Sequence, residues 1–254
     1  MDYVMPEPLR GKVEAILLCR GELLDGTGGA PSLIAGRMGH LLGGRSLVAP
    51  WQVHGTAVVQ GRAMWALPQR VKADGVHLDR AFDRNCEVLA SLRFADCAPI
   101  LIASAIPRPW AVILHSGFRG TLRDIFGESW RGLVNFYRGR GLGLDPAETY
   151  AWIGPAIGPC CFTRALTEEA ALRAEEEWGP DHSRREGGLV HLDLIGVIAE
   201  RMRASGIPSR NIMTLPLCTS CNRDMFYSYR SGDSEDRMTL VAGLKSMPLW
   251  EAAR

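Results

Sequence analysis

Short apolar runs recur along the chain with turn residues between them, at 13–19, 47–53, 86–92, 99–103, 110–114, 149–153, 189–192, 211–217 and 238–244. Each is four to eight residues long and several are rich in Val, Ile and Trp. Such runs predict β-strands, most of them covered on both faces. Three segments carry a helical period instead. In the first, Thr121 precedes the apolar series Leu122, Ile125, Phe126, Leu133 and Tyr137, with Asp124 placed as its capping-box partner. The second, 164–178, is rich in Ala and Glu and stops at Gly179-Pro180. The third opens after Asp193 as N-cap, runs through Leu194, Ile198 and Met202, and ends at Gly206 with Pro208 beyond. Predicted strands outnumber predicted helices about three to one without strict alternation, which points to an α+β fold rather than a doubly wound sheet. The Gly-rich stretch 21–44 is the least regular part, and no repeat or composition break marks a linker, so the 254 residues read as a single domain.

Charge and composition narrow the partners. With 29 Lys+Arg against 28 Asp+Glu and a net charge of +1, the chain offers no bulk field for a phosphate backbone, so nucleic acid is not an expected partner. No apolar run is long enough to span a membrane, and the N-terminal residues carry Pro6 and Pro8 instead of an export signal. Seven cysteines, an odd and scattered number, fit a reducing compartment and a cytoplasmic protein better than a disulfide framework. Lys12, Lys72 and Lys245 are the only lysines, so anion contacts would be made by guanidinium groups.

Walker A, HExxH and GxSxG motifs are absent, and 139–143 lacks the strand and third glycine of a dinucleotide fingerprint. Three segments share another pattern, an apolar run bordering a metal-competent side chain beside small residues: Gln52-Val53-His54-Gly55, Ala95-Asp96-Cys97-Ala98-Pro99 and His115-Ser116-Gly117-Phe118-Arg119-Gly120. Strand ends hold side chains rigidly at the edge of a cleft, so His54, Cys97 and His115 can converge there. Two imidazoles and a thiolate suit zinc and leave the fourth tetrahedral position open for a reactant. Separated ligands have no local spacing rule, however, and a buried cysteine or hydrogen-bonded histidine explains each residue equally well. Asp74 and Asp96 are candidate acceptors for the ligand histidines, general acid/base groups, or plain turn aspartates. Arg119, glycine-flanked just before a helix, is a candidate anion contact or a surface ion pair. Cys218-Thr219-Ser220-Cys221 and the adjacent Cys160-Cys161 make a four-cysteine zinc site conceivable, but adjacent cysteines on a strand point apart, so these thiols read as packing residues.

Taken in order, the three segments together with Ala73-Asp74-Gly75 resemble the YfiH family. The C-terminal half carries the likeness further, through Ile153-Gly154-Pro155-Ala156-Ile157-Gly158-Pro159-Cys160-Cys161, His191-Leu192-Asp193-Leu194, the Cys218–Cys221 motif and Phe226-Tyr227-Ser228-Tyr229-Arg230. That family was long labelled polyphenol oxidase or laccase-like and later described as purine nucleoside phosphorylases. The resemblance implies central packed sheets with helices outside and a zinc held by His54, Cys97 and His115. It also implies phosphorolysis of purine nucleosides or methylthioadenosine, and deamination of adenosine. Under it Asp96 or Asp74 would move a proton, and Arg119 and Gln52 would meet phosphate and substrate. The family's Arg-Gly-Gly-Val-Ser stretch is not recognisable within the atypical segment 1–45, where Arg20-Gly21 and Gly36-Arg37 are poor substitutes. Ser116 and Phe118 stand where Ala and Trp are common.

Three rival readings remain. A multicopper oxidase needs about ten histidines in paired motifs, and this chain has six with no His-x-His, so copper is disfavoured. A cysteine hydrolase would use Cys97 with His115 or His54 as base. A third reading is a peptidoglycan-precursor editing factor on the same fold.

Overall fold

The computed structural model describes residues 5–21, 36, 45–61, 70–79 and 88–245. Most of the expected irregular stretch 21–44 and of the atypical segment 1–45, together with Arg37 and Cys86, lies outside the described residues.

Thirteen strands and four helices among the described residues form a mixed α+β fold. A four-stranded sheet runs β1 (Val13–Leu18), β13 (Met238–Leu244), β5 (Val88–Phe94), β2 (Ser46–Val48). A six-stranded sheet runs β12 (Ile212–Thr214), β8 (Thr149–Ile153), β6 (Ala98–Ser104), β7 (Trp110–Ser116), β4 (Gly75–Asp79), β3 (Val58–Gln60). Both are antiparallel in their middles and acquire parallel pairs at their edges: β2 with β5, β3 with β4, and β12 with β8. A small antiparallel sheet, β10 (Ser183–Glu186), β11 (Leu189–Leu192), β9 (Thr163–Ala165), completes the set.

The two larger sheets pack face to face. Side chains alternate across a strand, so β7 sends Ala111 and Ile113 into the core shared with Leu92, Phe94 and Leu240 of the other sheet. Its remaining residues Trp110, Val112 and Leu114 turn to the opposite face, where α2 (Ile125–Arg138) and α4 (Leu194–Ala204) cover them. All seven residues of β6 and of β7 are buried, which is why these strands read as unbroken apolar runs. A third cluster joins α3 (Glu169–Trp178) to the small sheet through Ala171, Ala174, Trp178 and Val190.

The third helix follows its sequence signals. Asp193 caps α4 by accepting from the Gly196 N–H, and the chain leaves through Gly206 at φ 95. The first predicted helix is two. α1 (Phe118–Leu122) ends before Asp124, which takes a left-handed φ of 58 and caps α2 by accepting from Gly127 N–H, so it is a cap and not the capping-box partner of Thr121. The second helix is shorter than its sequence predicts, because Arg164 pairs with Val190 in a sheet ladder whose hydrogen bonds outweigh local helix propensity.

Candidate active-site cleft

Two of the passages of the chain from one large sheet to the other lie side by side. Between β5 and β6 it turns through Ala95, Asp96 and Cys97, with Asp96 at φ 78; between β2 and β3 it turns through 49–57, with His54 at φ 58. Both residues occupy the left-handed region that non-glycine residues rarely take, and both turns bring donor side chains to the same open end of the sandwich. His115, near the end of β7, faces Pro99 across the ladder and completes the group. The ligand-competent atoms of His54, Cys97 and His115 all lie within 4.8 Å of one another. The two imidazoles meet edge to face at 4.9 Å between ring centres.

Asp74 organises this end. Its fully buried carboxylate accepts from three consecutive backbone N–H groups, Val53 at 3.2 Å, His54 at 2.9 Å and Gly55 at 2.7 Å, and from His115 Nδ1 at 2.9 Å. The left-handed turn at His54 is what aims successive N–H groups at one anion. Burial alone would raise the Asp74 pKa; the bonds from His115, Gly55 and Val53 outweigh it and hold the carboxyl below its ordinary value. With Nδ1 spent on Asp74, His115 keeps Nε2 for the cleft, the tautomer a metal ligand requires.

Burial opposes charge on Cys97 and His115 too, and their mutual attraction overcomes it. The Cys97 thiol is pushed down to about 6 by His115 and His54, while His115 is raised to about 9 by Cys97 and Asp74. The backbone makes room for the sulfur at Gly117, where an added Cβ would stand 2.5 Å from Cys97 Sγ and 3.2 Å from His54 Cδ2. The donor set is chemically fit for zinc: two imidazoles and a thiol poised to ionise, where binding an ion would displace the proton that Cys97 and Asp74 hold on His115, with three protein donors and no fourth among the described residues.

These residues sit in a cavity of about 890 Å³. Arg119 lines it, but from inside α1 and not before the helix as its sequence position predicts. Gln52 also lines it, although its amide is occupied: Nε2 donates to Arg93 O and Oε1 accepts from Arg93 N–H, both at 2.8 Å, which ties the His54 turn to β5. Asp96 touches no histidine. Its Oδ1 accepts from Thr219 Oγ1 and its Oδ2 from the Arg230 N–H, both at 2.7 Å, so it holds two distant loops to the cleft.

The cavity also contains residues that sequence reasoning missed. Arg70, Arg93, Arg164, Arg230 and Arg237 join Arg119 on its walls, and Asp96 is the only acid among the described lining residues. Arg93 is partly buried with its Nε unpartnered, and burial first, then Arg237 and Arg70, bring its pKa down to about 10. Trp51, Phe118, Phe162 and Tyr229 supply aromatic faces. The preference for Arg over Lys was the one sequence signal for this charge; nothing in the spacing located it.

Cys160 and Cys161 lie in a turn and not on a strand, so their side chains need not point apart. All four sulfurs of Cys160, Cys161, Cys218 and Cys221 come within 4.8 Å of one another, which corrects the expectation that the adjacent pair points apart.

Comparison with known proteins agrees with this fold. Residues 34–245 match the family described as multi-copper polyphenol oxidoreductase laccase. The purine nucleoside phosphorylase YlmD of Geobacillus stearothermophilus is 32% identical over 163 residues, covering 62% of this chain but only 54% of that protein. A purine nucleoside phosphorylase of Xylella fastidiosa is 27% identical over 193 residues, 75% of this chain and 69% of that one. The crystal structure of Geobacillus YlmD superposes with a TM-score of 0.75 at 26% identity, covering 95% of this chain and 94% of that one. A Bacillus licheniformis YfiH structure shares the fold at a TM-score of 0.73 and 24% identity, over 92% of this chain and 93% of its own. With a match across most of its length and a YfiH-type fold beneath it, this chain belongs to the YfiH family of multi-copper polyphenol oxidoreductase laccases.

Proposed function

We propose that this protein is a zinc-dependent purine nucleoside phosphorylase. The observation that carries the reading is the placement of His54, Cys97 and His115 in a cleft walled by six arginines and four aromatic rings. Relatives named purine nucleoside phosphorylase support the substrate class. Aromatic faces suit a purine, and convergent guanidinium groups suit phosphate.

His54, Cys97 and His115 would hold the metal, which supplies when bound a Lewis acid able to polarise a substrate oxygen. Asp74 is a positioning residue: wholly buried, it acts by fixing the His115 tautomer and the His54 turn. Arg119 and its neighbours hold inorganic phosphate beside C1′ of the ribose. A phosphate oxygen bonds to C1′ as the glycosidic C–N bond breaks, and its electron pair leaves with the base, yielding ribose 1-phosphate and, after protonation, free purine. Anion-binding arginines keep the phosphate against the positive charge developing on the sugar. Gln52 and Asp96 are positioning residues, anchoring the His54 turn and the Arg230 loop. Deamination of adenosine would need a carboxyl to carry a proton to departing ammonia. Asp96 is the one described acid in the cleft and both its oxygens are engaged, so the geometry favours phosphorolysis.

The test is to incubate zinc-loaded protein with adenosine, inosine, guanosine or methylthioadenosine, with and without phosphate. Phosphate-dependent release of base is expected, lost on chelation and restored by zinc. No base from any of the four would overturn the reading, and copper in the purified protein would favour oxidase chemistry instead. One observation favours a second reading: Cys97, His115 and Asp74 are aligned as thiol, imidazole and carboxylate, with the thiol brought down to about 6. A Cys–His hydrolase would ignore the chelator and be silenced by thiol alkylation.

A further inference from the structure

We infer that Cys160, Cys161, Cys218 and Cys221 form a second, structural zinc site that fixes the Arg230 wall of the cleft. Two turns build it. In the first, Cys161 N–H and Phe162 N–H donate to Gly158 O at 2.9 and 2.7 Å, folding the adjacent cysteines outward together. In the second, Cys218 O accepts from Cys221 N–H at 3.2 Å and Asn222 N–H at 3.1 Å, a tight loop that brings both thiols of the CxxC to one side. A bridge between Ala156 and Cys218, with Thr219 N–H donating to Ala156 O at 3.0 Å, docks the two turns against each other.

The sulfur spacing matches a bound ion. Cys221 Sγ lies 3.4 Å from Cys161 Sγ and 3.7 Å from Cys160 Sγ. Tetrahedral zinc with Zn–S bonds of about 2.3 Å places its sulfurs about 3.8 Å apart. A disulfide requires about 2.05 Å, and all four cysteines are free. Four thiolates select a soft or borderline cation and leave it no open position, so the site is structural and not catalytic. Exposed Cys160 and Cys221 give the ion a way in. The turns it joins carry Phe162 and lead to Tyr229 and Arg230, in a stretch, 215–237, without a strand or helix. Thr219, inside the CxxC, donates to Asp96, which also receives Arg230 N–H. The clamp thus reaches the cleft through Asp96, the residue beside Cys97.

Elemental analysis of the full chain purified after expression with zinc tests this independently of any activity. About two zinc ions per chain are expected in the wild type and about one in Cys97→Ala, whose X-ray absorption should show four sulfur neighbours at about 2.3 Å. Cys221→Ser should also fall to about one ion, keep the mixed nitrogen and sulfur shell of the other site, and melt at a lower temperature. If Cys221→Ser fails to fold, the absorption spectrum of Cys97→Ala still decides. A metal-free Cys97→Ala, or a Cys161–Cys221 disulfide in the wild type by mass spectrometry, would overturn the inference; neither result bears on whether the cleft cleaves nucleosides.

Discussion

The strand β4 carries a buried acid at each end, and the two ends behave differently. Asp74, just before the strand, gathers three backbone N–H groups and His115 and serves the cleft. Asp79, its last residue, accepts from Arg108 Nε at 2.9 Å and from the Tyr137 hydroxyl, so it fastens α2 to the sheet. A buried histidine accompanies each acid, His115 beside Asp74 and His77 two residues before Asp79. At the cleft, charged partners overcome burial and raise His115 to about 9. Near Asp79, His77 packs edge-on against Phe136 and Tyr137 with Nε2 unpartnered, and burial dominates, lowering it to about 4. Equal burial therefore gives opposite protonation, according to whether a hydrogen-bonded anion accompanies the ring. A buried polar group becomes a functional device where its surroundings hold its charge and a structural one where they suppress it.

The largest effect should follow Asp74→Asn, which sets an amide N–H2 against inward-pointing N–H donors. We expect a loss of about 3 kcal/mol of stability and 10- to 100-fold weaker metal binding at the triad, roughly the cost of losing such a support. Denaturant unfolding and metal titration read these, and unchanged metal affinity would break the contrast between the strand ends. Asp79→Asn should cost about 2–3 kcal/mol, because Arg108 loses its buried counter-charge, while metal content stays at the wild-type value. A fall in metal content would show that the two ends are coupled along the strand.

The pH dependence sharpens the same contrast. His77 has a folded pKa near 4 against about 6.5 unfolded, so the unfolded chain binds more protons between those values. Its stability contribution is intact above about 6.5 and is lost as pH falls to about 4, roughly 3 kcal/mol in all. Asp74 titrates below the ordinary carboxylate range, so its contribution survives that window and fails only in stronger acid. Melting curves of His77→Leu should therefore flatten between pH 6.5 and 4 relative to the wild type; parallel curves would refute the assignment. The smallest effect is expected from Gly117→Ala, whose Cβ would push on the Cys97 sulfur. About tenfold weaker metal binding with a stability cost near 1 kcal/mol is expected, and equilibrium dialysis against zinc measures it.

Sequence by itself determined the buried strands, the capped α4, the α+β class and the three segments that meet at the cleft. Those features are local or periodic: uninterrupted apolar runs for doubly covered strands, Asp193 and Gly206 for a helix's two ends, small residues beside Cys97 and His115 at strand termini; His54, expected at the end of a strand over 47–53, lies instead in the turn after β2, which stops at Val48. Tertiary structure decided the rest. That Asp74 is a hub, that Gln52 is tied up by the Arg93 backbone and Asp96 by the Thr219 hydroxyl and the Arg230 N–H, and that six arginines face one cavity depend on how distant segments pack together. The gathering of the four cysteines escaped the sequence because alternation along a strand was assumed where the chain turns. Periodicity reports how each residue relates to its own element, whereas a site is built from contacts between elements tens of residues apart, and only packing chooses those.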